Sequence, residues 1–333
     1  MKRKIKNFFK ENYKELIIFI VLIILIKWPV NYYIVTGGGT LETDPRVEVK
    51  NEYKNKGTFN MCYVSELKGT IATYLLSYVL GYDRENVEES KASNSESLED
   101  IEYRNKLWLA SANNAAAYVA YKKAGKTANI KDKGIYIFAK LDESDTDLEV
   151  ADRLVSIDGE EGKSLEDFKR IINTKNDGST VKIMVMHNGK SYERKAKVTD
   201  IKGKKYIGVE LMEYTDYNFD PEVEFKFKDS EGGPSGGLML SLEIYNELTK
   251  KDITHGLNIA GTGMIDEYGN VGEIDGVKYK IRGAEKDGMD AFLVPAGRNY
   301  KEAINTKKKY NLKIKVIEVK TFDDALKKIK RLG

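Results

Sequence analysis

Glu231-Gly-Gly-Pro-Ser235-Gly-Gly237-Leu-Met-Leu240 decides the fold of the carboxy-terminal third. The residues before it, Glu222 to Phe227, alternate as a strand, and Leu238, Leu242, Tyr245 and Leu248 after it recur at helical spacing. The stretch therefore predicts a strand, a glycine turn and a helix over Leu238–Lys250. Ser235 falls at or just before the helix amino terminus, where unpaired backbone N–H groups and the positive dipole end favour a developing oxyanion. Gly233, Pro234 and Gly236 are the candidate oxyanion and substrate-backbone residues, since glycine lets another backbone approach closely.

About 45 residues further on stands Gly276-Val-Lys278-Tyr-Lys280, opening a helix predicted over Gly276–Gly288. At 100° per residue, Val277, Ile281 and Ala284 share one face. Lys280 lies roughly 65° from its centre and Lys278 roughly 95° away on the other flank, so Lys280 is the better placed to turn inward. Between turn and helix, Leu257 to Ile265 reads as a strand carrying Thr262, followed by a Gly-rich hairpin. A serine beside a buried lysine is a nucleophile–base pair in outline. As a general base the lysine must be brought from its ordinary pKa near 10.4 to roughly 7 to 8, about 4 kcal/mol of differential stabilisation, and burial acts in that direction.

The rest of the composition narrows the chemistry. Two histidines, His187 in a hairpin turn and His255 in a loop, offer poor material for a Ser-His-Asp triad and read as surface residues. One cysteine, Cys62, excludes an intramolecular disulfide, and no Cys/His spacing suits zinc, so neither metal nor cofactor is expected. The net charge of +3 comes from interspersed acids and bases and leaves no nucleic-acid footprint. Gly159-Glu-Glu-Gly162-Lys163-Ser164 has two residues between its glycines where a Walker loop needs four. Gly261-Thr-Gly263 lacks the third glycine of a dinucleotide fingerprint, with Asp266 in its place.

At the amino terminus Lys2, Arg3, Lys4, Lys6, Lys10 and Lys14 flank an unbroken apolar run, Leu16 to Ile26. Counted on through Trp28, Tyr32, Tyr33 and Val35 it gives about 20 residues, enough for a transmembrane helix. The basic flank places the amino terminus in the cytoplasm and everything after Thr36 outside. A cleaved signal peptide is the rival reading, with Val35-Thr-Gly37 as a poor cleavage site. Residues 37–127 form a mixed region, with strands at Val47–Lys50 and Thr58–Val64, helices at Ile71–Leu80 and Ile101–Ala124, and a polar loop from Glu88 to Glu99. Its expected work is spacing and packing.

Within residues 128–203, the segment Lys133–Val198 resembles a PDZ domain of bacterial secreted proteases. Asp152-Arg-Leu-Val-Ser-Ile157-Asp-Gly159 follows the family's Asp-x-Ile-x-x-Ile-Asp-Gly pattern, with Ala151 where a glycine usually precedes the aspartate. The resemblance implies a groove strand at Gly134, Ile135, Tyr136 and Ile137, beside which a peptide tail adds as a further strand. Leu165, Phe168, Ile171 and Ile172 give the following helix its apolar face, and Asn188-Gly189 marks a hairpin.

Residues 204–333 resemble the proteolytic domain of Lon-type proteases. The Pro-Ser-x-Gly turn, Ala260-Gly-Thr262-Gly263, the hairpin, Gly-x-Lys-x-Lys and Thr321-Phe-Asp-Asp-Ala-Leu326 occur in family order. The whole is similar to membrane-anchored PDZ–Lon proteins of Gram-positive bacteria. That resemblance implies Ser235 as nucleophile, Lys280 as base and Thr262 orienting the lysine. Two departures are Gly232, where an acid often precedes the nucleophile, and the lack of an ATPase segment. The expectation is a mixed α/β, anchored, ATP-independent serine endopeptidase whose partners are polypeptide substrates, peptide tails, the membrane and, as an open alternative, further copies of the chain. The competing expectation is a PDZ-based scaffold with a silent or self-cleaving peptidase domain.

Overall fold

The computed structural model describes residues 12–50, 53, 56–93, 96–142, 144–228 and 231–333. Two compact units emerge, residues 1–37 with 64–91 and residues 38–63 with 92–333.

In the first unit, helix α1 (Tyr13–Lys27) ends at Trp28 and strand β1 (Pro29–Glu42) begins directly after it. This corrects the sequence count of an apolar span running on to Val35. Pro29 disfavours helical backbone at Trp28, and Val-Asn-Tyr-Tyr-Ile-Val is β-branched and aromatic, so Tyr32, Tyr33 and Val35 lie in a strand. The 15 residues of α1 reach about 22 Å, and among the described residues no helix is long and apolar enough to cross a membrane. Lys2, Arg3, Lys4, Lys6 and Lys10 lie outside the described residues. Helix α2 (Ile71–Leu80) follows strand β3 (Thr58–Thr70), and β4 (Asp83–Asn86) pairs antiparallel with Tyr32–Val35. A short helix, α3 (Val87–Ser90), closes the unit.

The second unit holds two sheets. The first contains the strands β18, β17, β14 and the start of β3, side by side in that order, with β14 (Asn258–Gly261), β17 (Ala291–Pro295) and β18 (Lys315–Val319). Its β18–β17–β14–β3 run is parallel, and residues 58–61 of β3 stand in register with 258–261. Residues placed by sequence in a spacing region thus supply strands beside the Ser–Lys segment. Helix α4 (Leu98–Ala124) packs on α6 (Gly237–Glu247), whose inward residues Leu238, Met239, Leu242 and Ile244 are fully buried in a core with Phe59 and Tyr121. Helices α7 (Val277–Lys286), α8 (Arg298–Tyr310) and α9 (Phe322–Ile329) complete this α/β part.

The second sheet has the order β12–β5–β6–β8–β9: β5 (Thr127–Lys140), β6 (Arg153–Ile157), β8 (Thr180–His187), β9 (Lys190–Lys197) and β12 (Val209–Asp220). Helix α5 (Leu165–Asn173), capped by Ser164 accepting from the Asp167 N–H, puts Phe168, Ile171 and Ile172 into its core. Asn188 and Gly189 both take positive φ, 48° and 76°, which is the two-residue hairpin the sequence announced.

Candidate active site

The glycine turn is built by backbone needs that can be named. Gly233 has φ 88°, a conformation that favours glycine, and Pro234–Gly236 then make a single 3-10 turn leading into α6. A Cβ on Gly236 would collide with Met61 Sδ of β3, so the turn presses against that strand through a hydrogen atom. Among the described residues, a Cβ at Gly232 or Gly233 would meet nothing within 4 Å.

The serine is tied to the end of β14. Its carbonyl accepts from the Gly263 N–H at 2.7 Å and the Thr262 hydroxyl at 3.1 Å. The Leu238 N–H in turn donates to the Gly263 carbonyl at 3.0 Å. Thr262 is itself held by its N–H to the Leu293 carbonyl at 3.0 Å. Ser235 thus sits on two secondary elements at once.

Helix α7 starts at Gly276, whose φ is 75° and whose carbonyl accepts from both the Tyr279 and Lys280 N–H groups. Val277, Ile281 and Ala284 are fully buried, and Lys280 is 4% exposed. Its Nζ donates to Ser235 Oγ at 3.0 Å and to Thr262 Oγ1 at 3.3 Å. Ser235, Thr262 and Lys280, 45 residues apart at the extremes, form one cluster. Lys278 goes elsewhere: its ammonium lies 4.9 Å over the Tyr279 ring, and it lines a basic cleft with Arg298, Lys301 and Lys309.

The surroundings of the lysine are apolar. Val277, Ile281, Ala284, Ala260 and Cys62 belong to one buried cluster. Burial pushes the Cys62 thiol up to about 12, even with the charge of Lys280 acting against it, so this thiol stays protonated and offers no competing nucleophile. Helix α7 approaches residues 38–39 of β1 so closely that a Cβ on Gly283 would stand 3.1 Å from Gly39 Cα.

One expectation about the turn needs correction, and one open role is filled. Pro234 has no N–H to offer an oxyanion, and its carbonyl accepts from Gly237. Glu231 faces Arg46, with Oε1 and Oε2 at 2.5 and 3.0 Å from Nη2 and Nε. Burial would raise this carboxyl's pKa, but the guanidinium brings it below its ordinary value. Glu231 anchors the approach to the turn. Arg46, Met61 and Cys62 were missed by sequence reasoning. The strand pattern read over Thr58–Val64 was the available signal for Met61 and Cys62, though nothing local says which strand it joins.

The groove strand also differs from expectation. Gly134, Ile135, Tyr136 and Ile137 lie in β5, opposite Tyr214, Glu213, Met212 and Leu211 of β12. On the other side Tyr136 faces Arg153, the Ile137 N–H donates to the Asp152 carbonyl at 2.8 Å and Ala151 N–H donates back to the Ile137 carbonyl at 3.1 Å. A strand bonded on both sides has no edge for a peptide. β12 and β9 are the outermost strands of this sheet, and β12 runs beside α5, where the Leu165 N–H donates to Glu213 Oε2 at 3.2 Å.

His187 is not a bare surface residue, since its Nδ1 lies 2.8 Å from the fully buried Asp152 carboxylate. Asp152 also accepts from the Glu149 N–H and faces Arg194 Nε at 3.3 Å. That guanidinium occupies the charge role a cation would have beside Glu149, Asp152 and His187.

The Ser235 hydroxyl thus meets the amine of a buried lysine, an arrangement able to serve as a nucleophile and a base. Residues 228–331, which contain it, match the Lon protease (S16) C-terminal proteolytic domain, and residues 131–198 match a PDZ domain. The first is a serine-type peptidase domain. Among curated proteins, the Lon protease of Campylobacter concisus (strain 13826) is 34% identical over 95 residues, 28% of this chain and 12% of that one. The Lon protease of Fusobacterium nucleatum subsp. nucleatum is 30% identical over 130 residues, 37% of this chain and 16% of that one. The matched stretches thus span 12% and 16% of these two relatives' own lengths. Among solved structures, the PDZ domain of an SdrC-like protein from Listeria monocytogenes is 33% identical. It covers 23% of this chain and 86% of its own, with a TM-score of 0.21. That of Listeria innocua, also 33% identical, covers 23% and 92% with a TM-score of 0.22.

Proposed function

We propose that the chain is a serine endopeptidase in which Ser235 is the nucleophile, Lys280 the general base and Thr262 the residue that orients the lysine. The observation that carries this reading is the 3.0 Å contact between Lys280 Nζ and Ser235 Oγ with the lysine 4% exposed. Burial among apolar side chains penalises the ammonium form. Once neutral, the amine accepts the proton of Ser235 as Oγ attacks a peptide carbonyl. The carbonyl π pair moves to oxygen, and in this reading the backbone N–H groups of Gly233 and Gly236 receive the charge. Collapse of the tetrahedral adduct breaks the C–N bond as Lys280 returns the proton to the departing amine. Water, deprotonated by the same lysine, then hydrolyses the acyl-serine.

In this reading the substrates are unfolded or exported polypeptides, and cleavage needs no ATP. The apolar run Leu16–Ile26 with its basic flank supports anchoring through α1, the amino terminus cytoplasmic and the peptidase outside. The PDZ domain would bind peptide tails along the outer edge of β12 beside α5, because β5 is paired on both sides.

The test is casein hydrolysis by the full chain in detergent, without ATP, against Ser235→Ala and Lys280→Ala. Loss in both, with unchanged circular dichroism, is the expected result. Survival of cleavage in Lys280→Ala removes the lysine from the base role. If no form cleaves, labelling of Ser235 by a fluorophosphonate distinguishes an active centre with narrow substrate demands from a scaffold with a silent domain.

A further inference from the structure

Ile71-Ala-Thr-Tyr-Leu-Leu-Ser-Tyr-Val-Leu80, helix α2, contains no charged residue. Its ends are well defined, with a capping box between Thr70 and Thr73 and Gly81 closing the helix at φ 67°. Only Ser77 is buried, while Leu75, Leu76, Tyr78, Val79 and Leu80 are 50–81% exposed. At 100° per residue these five span roughly 200° of the circumference. A helix seated in a protein groove needs an apolar stripe of about half that width. Exposure this wide and this apolar is rare on water-soluble surfaces and suits an occupant without fixed shape.

The neighbours of α2 indicate which occupant. Its first N–H, that of Ile71, donates to the Trp28 carbonyl at 3.1 Å, so α2 begins where α1 ends, and the two helices pack together. None of the α1 residues is buried either. At their junction Trp28 is 63% exposed, and Tyr74 stacks against Tyr32 with ring centroids 5.0 Å apart. The Tyr74 and Tyr78 hydroxyls meet at 3.0 Å, and Arg84 lies 3.8 Å over the Tyr78 ring while donating to Ser77. Amphipathic rings and a guanidinium at the end of an apolar helix are the chemistry of a lipid headgroup layer. The basic residues before α1, Lys2, Arg3, Lys4, Lys6 and Lys10, complement anionic lipid.

We propose that α2 is an interfacial membrane element, lying in the surface of the bilayer that α1 enters, with Leu75, Leu76, Val79 and Leu80 at the acyl boundary and Tyr74 and Tyr78 at headgroup level. The proposal rests on the reading of α1 as an anchor and adds a second contact, which restrains rotation of the unit about the α1 axis. Amphipathic and short apolar helices bind in this way in proportion to the apolar area they insert.

The experiment uses the full chain in vesicles of phosphatidylcholine and phosphatidylglycerol, with a polarity-sensitive fluorophore on a single introduced cysteine at Ile20, Leu75, Val79 or Tyr268. The native Cys62 is 3% exposed and stays unlabelled. Spin-labelled lipid is the quencher. The expected result is lipid quenching at Ile20, Leu75 and Val79 and none at Tyr268, which is 91% exposed. Quenching at Ile20 with Leu75 and Val79 behaving like Tyr268 overturns the proposal and leaves the anchor standing. No quenching at Ile20 either overturns both. Leu75 and Val79 shielded from aqueous iodide yet unquenched by lipid means a protein surface, such as a second copy, covers α2, and this too overturns the proposal.

Discussion

The Ser–Lys centre and the PDZ domain were both marked by short motifs, and the two motifs carried different kinds of information. At the centre, Ser235, Thr262 and Lys280 are side chains whose chemistry is written in their identity. The fold had only to bring them within 3.3 Å of one another. In the PDZ domain the motif around Asp152 located the domain, but the groove is a property of a strand edge. An edge is defined by what does not pair with it, and the long-range β5–β12 register settles that. Residue chemistry survives being read one residue at a time, whereas an edge is a relation between segments more than 60 residues apart, as Gly134 and Tyr214 are.

The largest effect that would break this comparison is at the centre. Ser235→Ala and Lys280→Ala should each lower kcat by at least about 10³-fold in casein hydrolysis, because members of a nucleophile–base pair act as a unit. Thr262→Val keeps the shape but removes the hydroxyl that meets both Lys280 and the Ser235 carbonyl. Steady-state kinetics should show kcat down roughly 10- to 100-fold with KM nearly unchanged. An equal loss in the two parameters would make Thr262 a packing residue.

In the PDZ domain the expected losses are in stability. Ile137→Pro deletes the N–H that reaches Asp152 and leaves that buried carbonyl without its donor, so denaturant melts should show a cost of at least about 2 kcal/mol. If peptide affinity falls while the melt is unchanged, β5 is a groove strand after all.

Glu243, in the middle of α6, sharpens the comparison through pH. Burial raises its carboxyl from 4.5 to about 7, with Asp44 and Glu42 adding to the effect and the 2.6 Å hydrogen bond from Thr43 opposing it. The folded chain therefore holds a proton that the unfolded chain has released between these values. This group's contribution to stability is fully present below pH 4.5 and is lost as pH rises through 7. Glu243→Gln should flatten the pH dependence of unfolding and, at pH 8, gain up to roughly 3 kcal/mol relative to the native residue. The smallest effect is at Ala151, whose φ of 76° is a glycine conformation. Ala151→Gly should stabilise the PDZ domain by about 1 kcal/mol, read as a rise in melting temperature.

Much of the fold was legible. Helix α2 was predicted over Ile71–Leu80 and is found there, α4, α6 and α7 were read to within a few residues at each end, and α5 was read from its apolar face, because apolar spacing is local. The amino-terminal span was read too long because apolar content was counted without its period. From Pro29 onward Tyr32, Tyr33 and Val35 serve a strand.

Sequence alone was sufficient to single out a serine and a lysine that the fold brings into contact, and to prefer Lys280 over Lys278 for the inward-facing position. Each of those rests on residue type and on the 100° step of a helix. The tertiary structure decided that β3 backs the serine turn through Met61, that Arg46 takes Glu231, that Pro234 gives its carbonyl to Gly237, and that β5 is paired on both sides. Those facts depend on which distant strands pair, and pairing energy comes from the whole sheet and its buried core, with no signature in the residues that happen to be joined.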